Sequence, residues 1–271
     1  MSISVLILTL NEESNLERCL QSVAWSDDIV VFDSYSSDGT LEIARAFGAR
    51  VVQRRFDNER DHRAASLQVE FRHPWVFNPD ADEITTPELR DEMLAIAADP
   101  MCESDAFRVR FKNIFMGRWI KHGSLYPTWI VRFFRPEALR FERSINLRYV
   151  VDGRVGRLRN HLLHYSFNKG LDAWFEKHNR YSRIEALEGS DPIDLGALLV
   201  RDTVARRRAL KALSFRLPCR PTLRFVYMYL LRGGFLDGLP GLIYCRLLMF
   251  YEYMIVLKVK EAQRRQSGLP V

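Results

Sequence analysis

Two carboxylates set two residues apart, Asp80 and Asp82 in Asn78-Pro79-Asp80-Ala81-Asp82-Glu83, are the sharpest chemical signal in this 271-residue chain. Oxygen ligands at that spacing, just past a buried strand, can hold a hard divalent cation against a diphosphate, and magnesium or manganese suits such a donor set. An isolated Asp-x-Asp is more often a solvated acidic turn. This pair stands out because it follows the fourth of a series of alternating strands and helices. No Gly-x-Gly-x-x-Gly follows the first strand and no Gly-x-x-x-x-Gly-Lys occurs anywhere, which counts against dinucleotide and Walker-type phosphate binding. A bound diphosphate would then be neutralised by metal instead of by a glycine-rich cradle.

The elements that must position these carboxylates are legible upstream. Residues 3–10, Ile-Ser-Val-Leu-Ile-Leu-Thr-Leu, form a nearly continuous apolar run and read as a buried parallel strand. Leu16, Leu20 and Val23 follow at helical spacing, and residues 28–33 form a second strand. A helix is expected from Thr40 to Phe47, stopped by Gly48, then a third strand at 50–53, a helix at about 59–71 and a fourth strand at 75–77. Such alternation predicts an open, Rossmann-like α/β sheet whose ligands bind beyond the carboxyl ends of the strands. The polar residues at those ends are therefore binding candidates: Thr9, Asn11 and Glu12 after the first strand, Asp33 after the second, Asp80 and Asp82 after the fourth. Thr86-Pro87-Glu88 opens a further helix. Strand-like pieces follow at 106–111, 129–134, 149–151 and 161–166, and the chain reads as helical from about Asn168 onward.

Composition bounds the class. At 47% hydrophobic and 27% charged residues, the chain is neither disordered nor fibrous. Cys19, Cys102, Cys219 and Cys245 form no Cys-x-x-Cys pair, so neither a zinc knuckle nor a disulfide framework is expected, and a reducing cytoplasm fits. The first residues lack the basic and apolar regions of a signal peptide. Arg232, Arg246 and Glu252 interrupt the most apolar region, so no spanning helix is expected. Residues 1–153 hold 19 Lys and Arg against 24 Asp and Glu, whereas residues 154–271 hold 21 against 10. An acidic chemical module followed by a segment that meets an anionic surface is the expectation.

Three motifs in order carry a family resemblance: residues 4–13, Ser-Val-Leu-Ile-Leu-Thr-Leu-Asn-Glu-Glu; residues 33–40, Asp-Ser-Tyr-Ser-Ser-Asp-Gly-Thr; and residues 80–83, Asp-Ala-Asp-Glu. They resemble family 2 glycosyltransferases, which share the GT-A fold. Residues 116–123, Met-Gly-Arg-Trp-Ile-Lys-His-Gly, and 232–238, Arg-Gly-Gly-Phe-Leu-Asp-Gly, are similar to the branch that adds sugars to lipopolysaccharide core and related surface glycans. The resemblance implies a GT-A catalytic domain over 1–165 and a helical, basic C-terminal region over 166–271. It implies that Thr9, Glu12 and Asp33 contact the base and ribose of a nucleotide-diphospho-sugar, most often a uridine one, and that Asp80 lies near the ribose or donor sugar. It places Asp82 on the metal, where the charge of the departing diphosphate is neutralised, and offers His164 as a further ligand or as a structural histidine. Each polar residue at a strand end is alternatively a helix cap, Asp38 above all.

Inversion, usual in this family, requires a general base near the acceptor hydroxyl. Where the branch shows Tyr-Pro-Asp this chain has Tyr126-Pro127-Thr128, and where the branch shows Val-His-Glu it has Ile145-Asn146-Leu147. Glu142 is the first substitute for the missing carboxylates, ahead of Asp152 and His122. Arg132, alternating along a strand, reads as part of a wet face or as a donor-phosphate partner, and His62-Arg63 carry the same two readings. The basic run from Arg201 to Arg224, the stretch Phe225 to Leu231 that follows it and the apolar helix 239–259 suit either a solvated face on a buried helix or an interfacial segment on the inner face of the cytoplasmic membrane. The expected acceptor is a lipid-linked saccharide. Nucleic acid is not expected as a partner, because no recognised binding module accompanies the basic residues. Two other readings stay open: a nucleotidyltransferase on a similar sheet, and a non-catalytic relative that binds nucleotide or membrane.

Overall fold

The computed structural model describes residues 2–142, 147–189, 206 and 219–270. The chain forms two compact units, one made of Met1–Ile114 with Tyr126–Asn168, the other of Phe115–Leu125 with Lys169–Val271. Residues 115–125 thus fall inside the expected range 1–165 by sequence but group with the C-terminal residues by contact. The physical reason is Asp237, whose carboxylate accepts the amides of Lys121, His122 and Gly123.

In the first unit β1 (Ser4–Thr9), β2 (Ile29–Asp33), β3 (Arg50–Gln53) and β4 (Val76–Phe77) run parallel in the order β3-β2-β1-β4. They are joined by α1 (Glu13–Val23), α2 (Thr40–Ala46) and α3 (Glu59–Ser66). The sheet continues through β8 (Trp129–Phe134), β6 (Ala106–Phe115), β11 (Val155–His164) and β5 (Glu83–Thr85). Beyond β4 the strands are mixed: β8 is antiparallel to β4 and β6, β11 is parallel to β6, and β5 is antiparallel to β11. A doubly wound half therefore ends at β4, and its switch to mixed pairing brings β8 and β11 beside the Asp80–Glu83 turn.

The continuous apolar runs follow from burial on both faces. Alternation along β1 sends Val5 and Ile7 into one core with Leu16, Leu20, Phe77 and Phe133. Leu6 goes into a second core with Val30, Val76 and Phe134. Each such side chain, fully removed from water, contributes about 1.5–3 kcal/mol. Thr86 caps α4 (Pro87–Ala98) by accepting the Leu89 amide at 3.3 Å, with Pro87 at the first turn as its missing N–H allows. A separate two-stranded sheet pairs β9 (Leu139–Glu142) with β10 (Arg148–Val151).

The second unit contains β7 (Arg118–Trp119), α5 (Gly170–Gly189), α6 (Arg220–Val226) and α7 (Gly238–Gln266). α5 and α7 pack through Ala186, Tyr251, Ile255 and Val259, and the Lys258 ammonium donates to Asn179 O and Ser182 Oγ at 2.5 and 2.7 Å. Among the described residues no helix is long and apolar enough to cross a membrane. Of the basic run 201–224, only Arg206 and residues 219–224 lie within the described residues, and Ile145 and Asn146 also lie outside them.

Candidate active site

The acidic turn is built by the sheet itself. Asp80 extends the ladder past Phe77 through a parallel bridge with Leu8. The turn then closes reciprocally: the Asp80 amide donates to Glu83 Oε2 at 2.9 Å and the Glu83 amide donates to Asp80 O at 2.9 Å. Glu83 is buried, the Asp80 side chain keeps 37% of its surface exposed, and Asp82 is directed to β11.

Arg132 is the cation that makes this crowding tolerable. It reaches in from β8 at 2% exposure, donating from Nη2 to Glu83 Oε1 at 2.9 Å and to Asp80 Oδ2. The wet-face reading of Arg132 is therefore overturned: residue 132 faces the interior because the carboxylates there need a counter-charge. Arg63 on α3 backs the same group, with Nη2 3.5 Å from Asp80 Oδ1 and Nε 2.6 Å from Glu59 Oε1. Burial would push the Asp80 carboxyl up, but the Arg132 guanidinium, then Arg63, hold it well below the usual carboxylate range. For Glu83 burial prevails over Arg132 and its carboxyl is raised. Cys19 beneath the turn is raised well above an ordinary thiol, by burial first and then by the charges of Glu83, Asp82 and Asp80, which leaves it an inert core residue.

His164 ends β11 with Nε2 3.3 Å from Asp82 Oδ2 and Nδ1 2.8 Å from Asn113 Oδ1. The amide oxygen can only accept, so Nδ1 carries the hydrogen and Nε2 turns to Asp82. Burial would lower this imidazole, yet the Asp82 hydrogen bond and charge, followed by Glu83 and Asp80, raise it overall. A carboxylate oxygen and an oriented imidazole nitrogen this close are a donor pair that would suit a divalent cation. Among the described residues no group of three or more His, Cys, Asp or Glu could hold a metal.

The remaining strand-end candidates lie at the carboxyl ends of β1 and β2. Asp33 is fully buried and accepts from Thr9 Oγ1 at 2.9 Å, Ser36 N at 2.9 Å, Ser36 Oγ, and Gln53 Nε2 at 3.1 Å. These bonds outweigh its burial and lower its pKa. Thr9 is buried with it. Asn11, at φ 54°, donates its amide to Ser36 Oγ and accepts the Ser37 amide, each at 2.8 Å. Glu12 donates its amide to Thr40 Oγ1 at 2.8 Å, and its Oε2 accepts from Asn15 at 2.9 Å. Asp38 accepts from Thr40 N and Glu13 N at 3.1 Å each, which ties the starts of α2 and α1 together. Thr9 and Asp33 are thus the foundation of this lip, while Asn11 and Glu12 stand nearer solvent.

Glu142 ends β9. It pairs with Arg140 at 2.5 Å and Arg148 at 3.7 Å on the two-stranded sheet, and Asp152 pairs with the same Arg140. His62 is buried against Ser34 Oγ at 3.0 Å, a satisfied core histidine.

Residues 4–165, more than half of the chain, match the profile of glycosyl transferase family 2. The chain belongs to that family. As a glycosyltransferase it aligns over most of its length with an uncharacterized glycosyltransferase of Rickettsia typhi, 26% identical with 98% of this chain and 89% of the relative covered. It is also 26% identical to the lipopolysaccharide core biosynthesis glycosyltransferase LpsC of Rhizobium meliloti, over 96% of this chain and 92% of the relative. Among solved structures, the mannosyltransferase PcManGT of Pyrobaculum calidifontis superposes with a TM-score of 0.50 at 16% identity, over 95% of this chain and 86% of that one. The α/β fold of this glycosyltransferase is accordingly GT-A, with a C-terminal helical region.

Within the acidic turn, sequence reasoning found Asp80, Asp82 and His164 but assigned no part to Glu83 or Asn113. Three carboxylates in four residues of a buried turn are the signal that a buried cation must face them.

Proposed function

We propose that this glycosyltransferase moves a sugar, with inversion, from a nucleotide-diphospho-sugar, a UDP-hexose, to a hydroxyl of a lipid-linked saccharide in lipopolysaccharide or other surface-glycan synthesis. The observation that carries the donor half is the contact of Asp82 Oδ2 with His164 Nε2, beside an Asp80 held ionised by Arg132. The lipopolysaccharide role of LpsC supports the acceptor class, and the GDP-Man and Mn2+ bound to PcManGT support a nucleotide-diphospho-sugar donor with a divalent metal, while the uridine base rests on the family resemblance.

Asp82 and His164 would hold a magnesium or manganese ion, which when bound supplies positive charge to the departing diphosphate. Asp80 is proposed to face the ribose or sugar, and Glu12 and Asn11 the base and ribose, on the foundation of Thr9 and Asp33. In the transfer, an acceptor oxygen forms its bond to the anomeric carbon as the bond to diphosphate breaks, and the hydroxyl proton leaves to a carboxylate. Glu142 is the proposed acceptor of that proton, a role in which it exchanges its ion pairs with Arg140 and Arg148 for the hydroxyl. The site of action is proposed to be the cytoplasm, at the inner face of the membrane.

The test incubates the full chain with UDP- and GDP-hexoses, Mn2+ and truncated lipopolysaccharide. Release of nucleoside diphosphate with sugar on the acceptor is expected. Release of pyrophosphate would instead show nucleotidyl transfer, and donor binding without turnover on any acceptor would point to a non-catalytic relative.

A further inference from the structure

Five large apolar side chains in one stretch of the second unit stand in solvent: Leu230 at 54% exposure, Leu231 at 77%, Phe235 at 50%, Leu236 at 55% and Leu239 at 64%. Four of them are carried on two successive turns and Leu239 on the start of α7, instead of on one helical stripe. Tyr227–Leu231 is a π-helical turn continuing α6, and Gly234–Asp237 is a 3-10 turn that leads into α7. Gly233 joins them at φ 77°, a left-handed conformation that glycine adopts without a Cβ penalty.

The turns are fixed from beneath. The buried Asp237 carboxylate accepts the amides of Lys121, His122 and Gly123 at 3.3, 2.9 and 2.7 Å. Arg118 Nη2 donates to Leu236 O at 3.2 Å, and Arg232 Nη2 to Ser124 O at 3.4 Å. The packing below is so close that a Cβ on Gly241 would lie 2.4 Å from Gly234 O. The apolar residues are therefore displayed on a frame with its own hydrogen bonds, and large apolar side chains exposed together within residues 230–239 are what an interaction site presents.

Charge selects the occupant. Residues 115–125 and 220–252 contain six Lys and Arg, namely Arg118, Lys121, Arg220, Arg224, Arg232 and Arg246, against two acids, Asp237 and Glu252, of which Glu252 pairs with Arg220 at 2.7 Å. Asp237 is buried and occupied by three amides. Apolar side chains rimmed by cations with no exposed acid match an anionic leaflet, which offers negative headgroups over an acyl interior; long basic side chains can reach the headgroups while their neighbours insert.

We propose that the double turn 227–239 inserts into an anionic lipid surface, with Leu231 deepest and Arg118, Lys121 and Arg232 at headgroup level. This narrows the contact, which the sequence offered as one of two readings for residues 201–231 and 239–259, to the double turn. It extends the functional reading, since a lipid-linked acceptor is met at a membrane, but the test uses neither donor nor acceptor, so docking and sugar transfer fail independently.

The full chain is floated with vesicles of phosphatidylcholine alone and of phosphatidylcholine with phosphatidylglycerol. Wild type should bind the anionic vesicles and lose binding at high salt. Leu231→Asp combined with Phe235→Asp should lower the partition coefficient at least ~10-fold, because two inserted apolar groups become charges, while circular dichroism stays unchanged. Leu231→Trp, read as difference emission against wild type, should shift to the blue on anionic vesicles. Absence of wild-type binding, equal binding by the double variant, or unshifted Leu231→Trp emission would overturn the proposal. So would concentration-dependent dimerisation without lipid that Leu231→Asp abolishes, which would assign the turns to a second copy of the chain.

Discussion

His164 Nε2 lies 3.3 Å from Asp82 Oδ2, bringing the end of β11 against the acidic turn that follows β4. The opposite ring nitrogen is held by Asn113 at 2.8 Å, so the orientation of the proposed metal ligand depends on a side chain that would not itself touch metal.

Asn113→Ala should therefore weaken Mn2+-dependent nucleotide binding by about 10–100-fold, the usual cost of losing a group that orients a ligating histidine. The thermal midpoint should barely move. Titrating Mn2+ into protein saturated with UDP checks this, and an unchanged midpoint of that titration would detach Asn113 from the site.

Arg132→Met should destabilise the fold by about 3–5 kcal/mol, because it removes the cation paired with the buried Glu83 and leaves Asp80 with the more distant Arg63. Urea unfolding of Arg132→Met beside Arg132→Lys measures it. The lysine variant should recover part of the loss, since it restores the charge without the guanidinium fork.

Asp28 should make stability depend on acid. Burial would raise its pKa, but bonds from Ser4 Oγ at 2.6 Å, the Arg72 amide at 2.9 Å and Arg50 at 2.8 Å lower it overall. A folded pKa below the unfolded value of about 3.9 gives stability that is fully present above that value and lost as pH falls through the folded pKa. The difference in thermal midpoint between wild type and Asp28→Asn should thus be constant from neutral pH to about pH 5 and shrink below about pH 4. A gap that widens on acidification would contradict this assignment.

Glu142→Gln should lower kcat by about 100-fold or more if this carboxylate takes the acceptor proton, with donor affinity unchanged. Since among the described residues Glu142 is held by the exposed Arg140 and Arg148, stability should be little affected. Full turnover in this variant would remove Glu142 from the chemistry.

Much of the first half of the fold was legible because its strands are buried on both faces: Val5 and Leu6 feed opposite cores, so the apolar run in β1 is continuous. Asp80 and Asp82 were legible through their place after the fourth strand. Mixed pairing beyond β4 was not, since strand direction depends on connections that apolar pattern does not encode. Arg132 misled for a related reason. Alternation along β8 shows which residues share a face, but only the three-dimensional position of Glu83 and Asp80 shows that one residue on an apolar strand must be a cation. Likewise the Asp237 cap on residues 121–123 joins positions 114 to 116 apart in sequence, and no local signal marks it.

The donor site is tested most directly by calorimetric titration of the full chain with UDP, with and without Mn2+, for wild type and Asp82→Ala. The account predicts binding that requires Mn2+ in the wild type and is weakened at least ~10-fold in Asp82→Ala, as expected when a metal ligand is removed. Wild-type affinity indifferent to Mn2+, or equal metal-dependent affinity in Asp82→Ala, would contradict it.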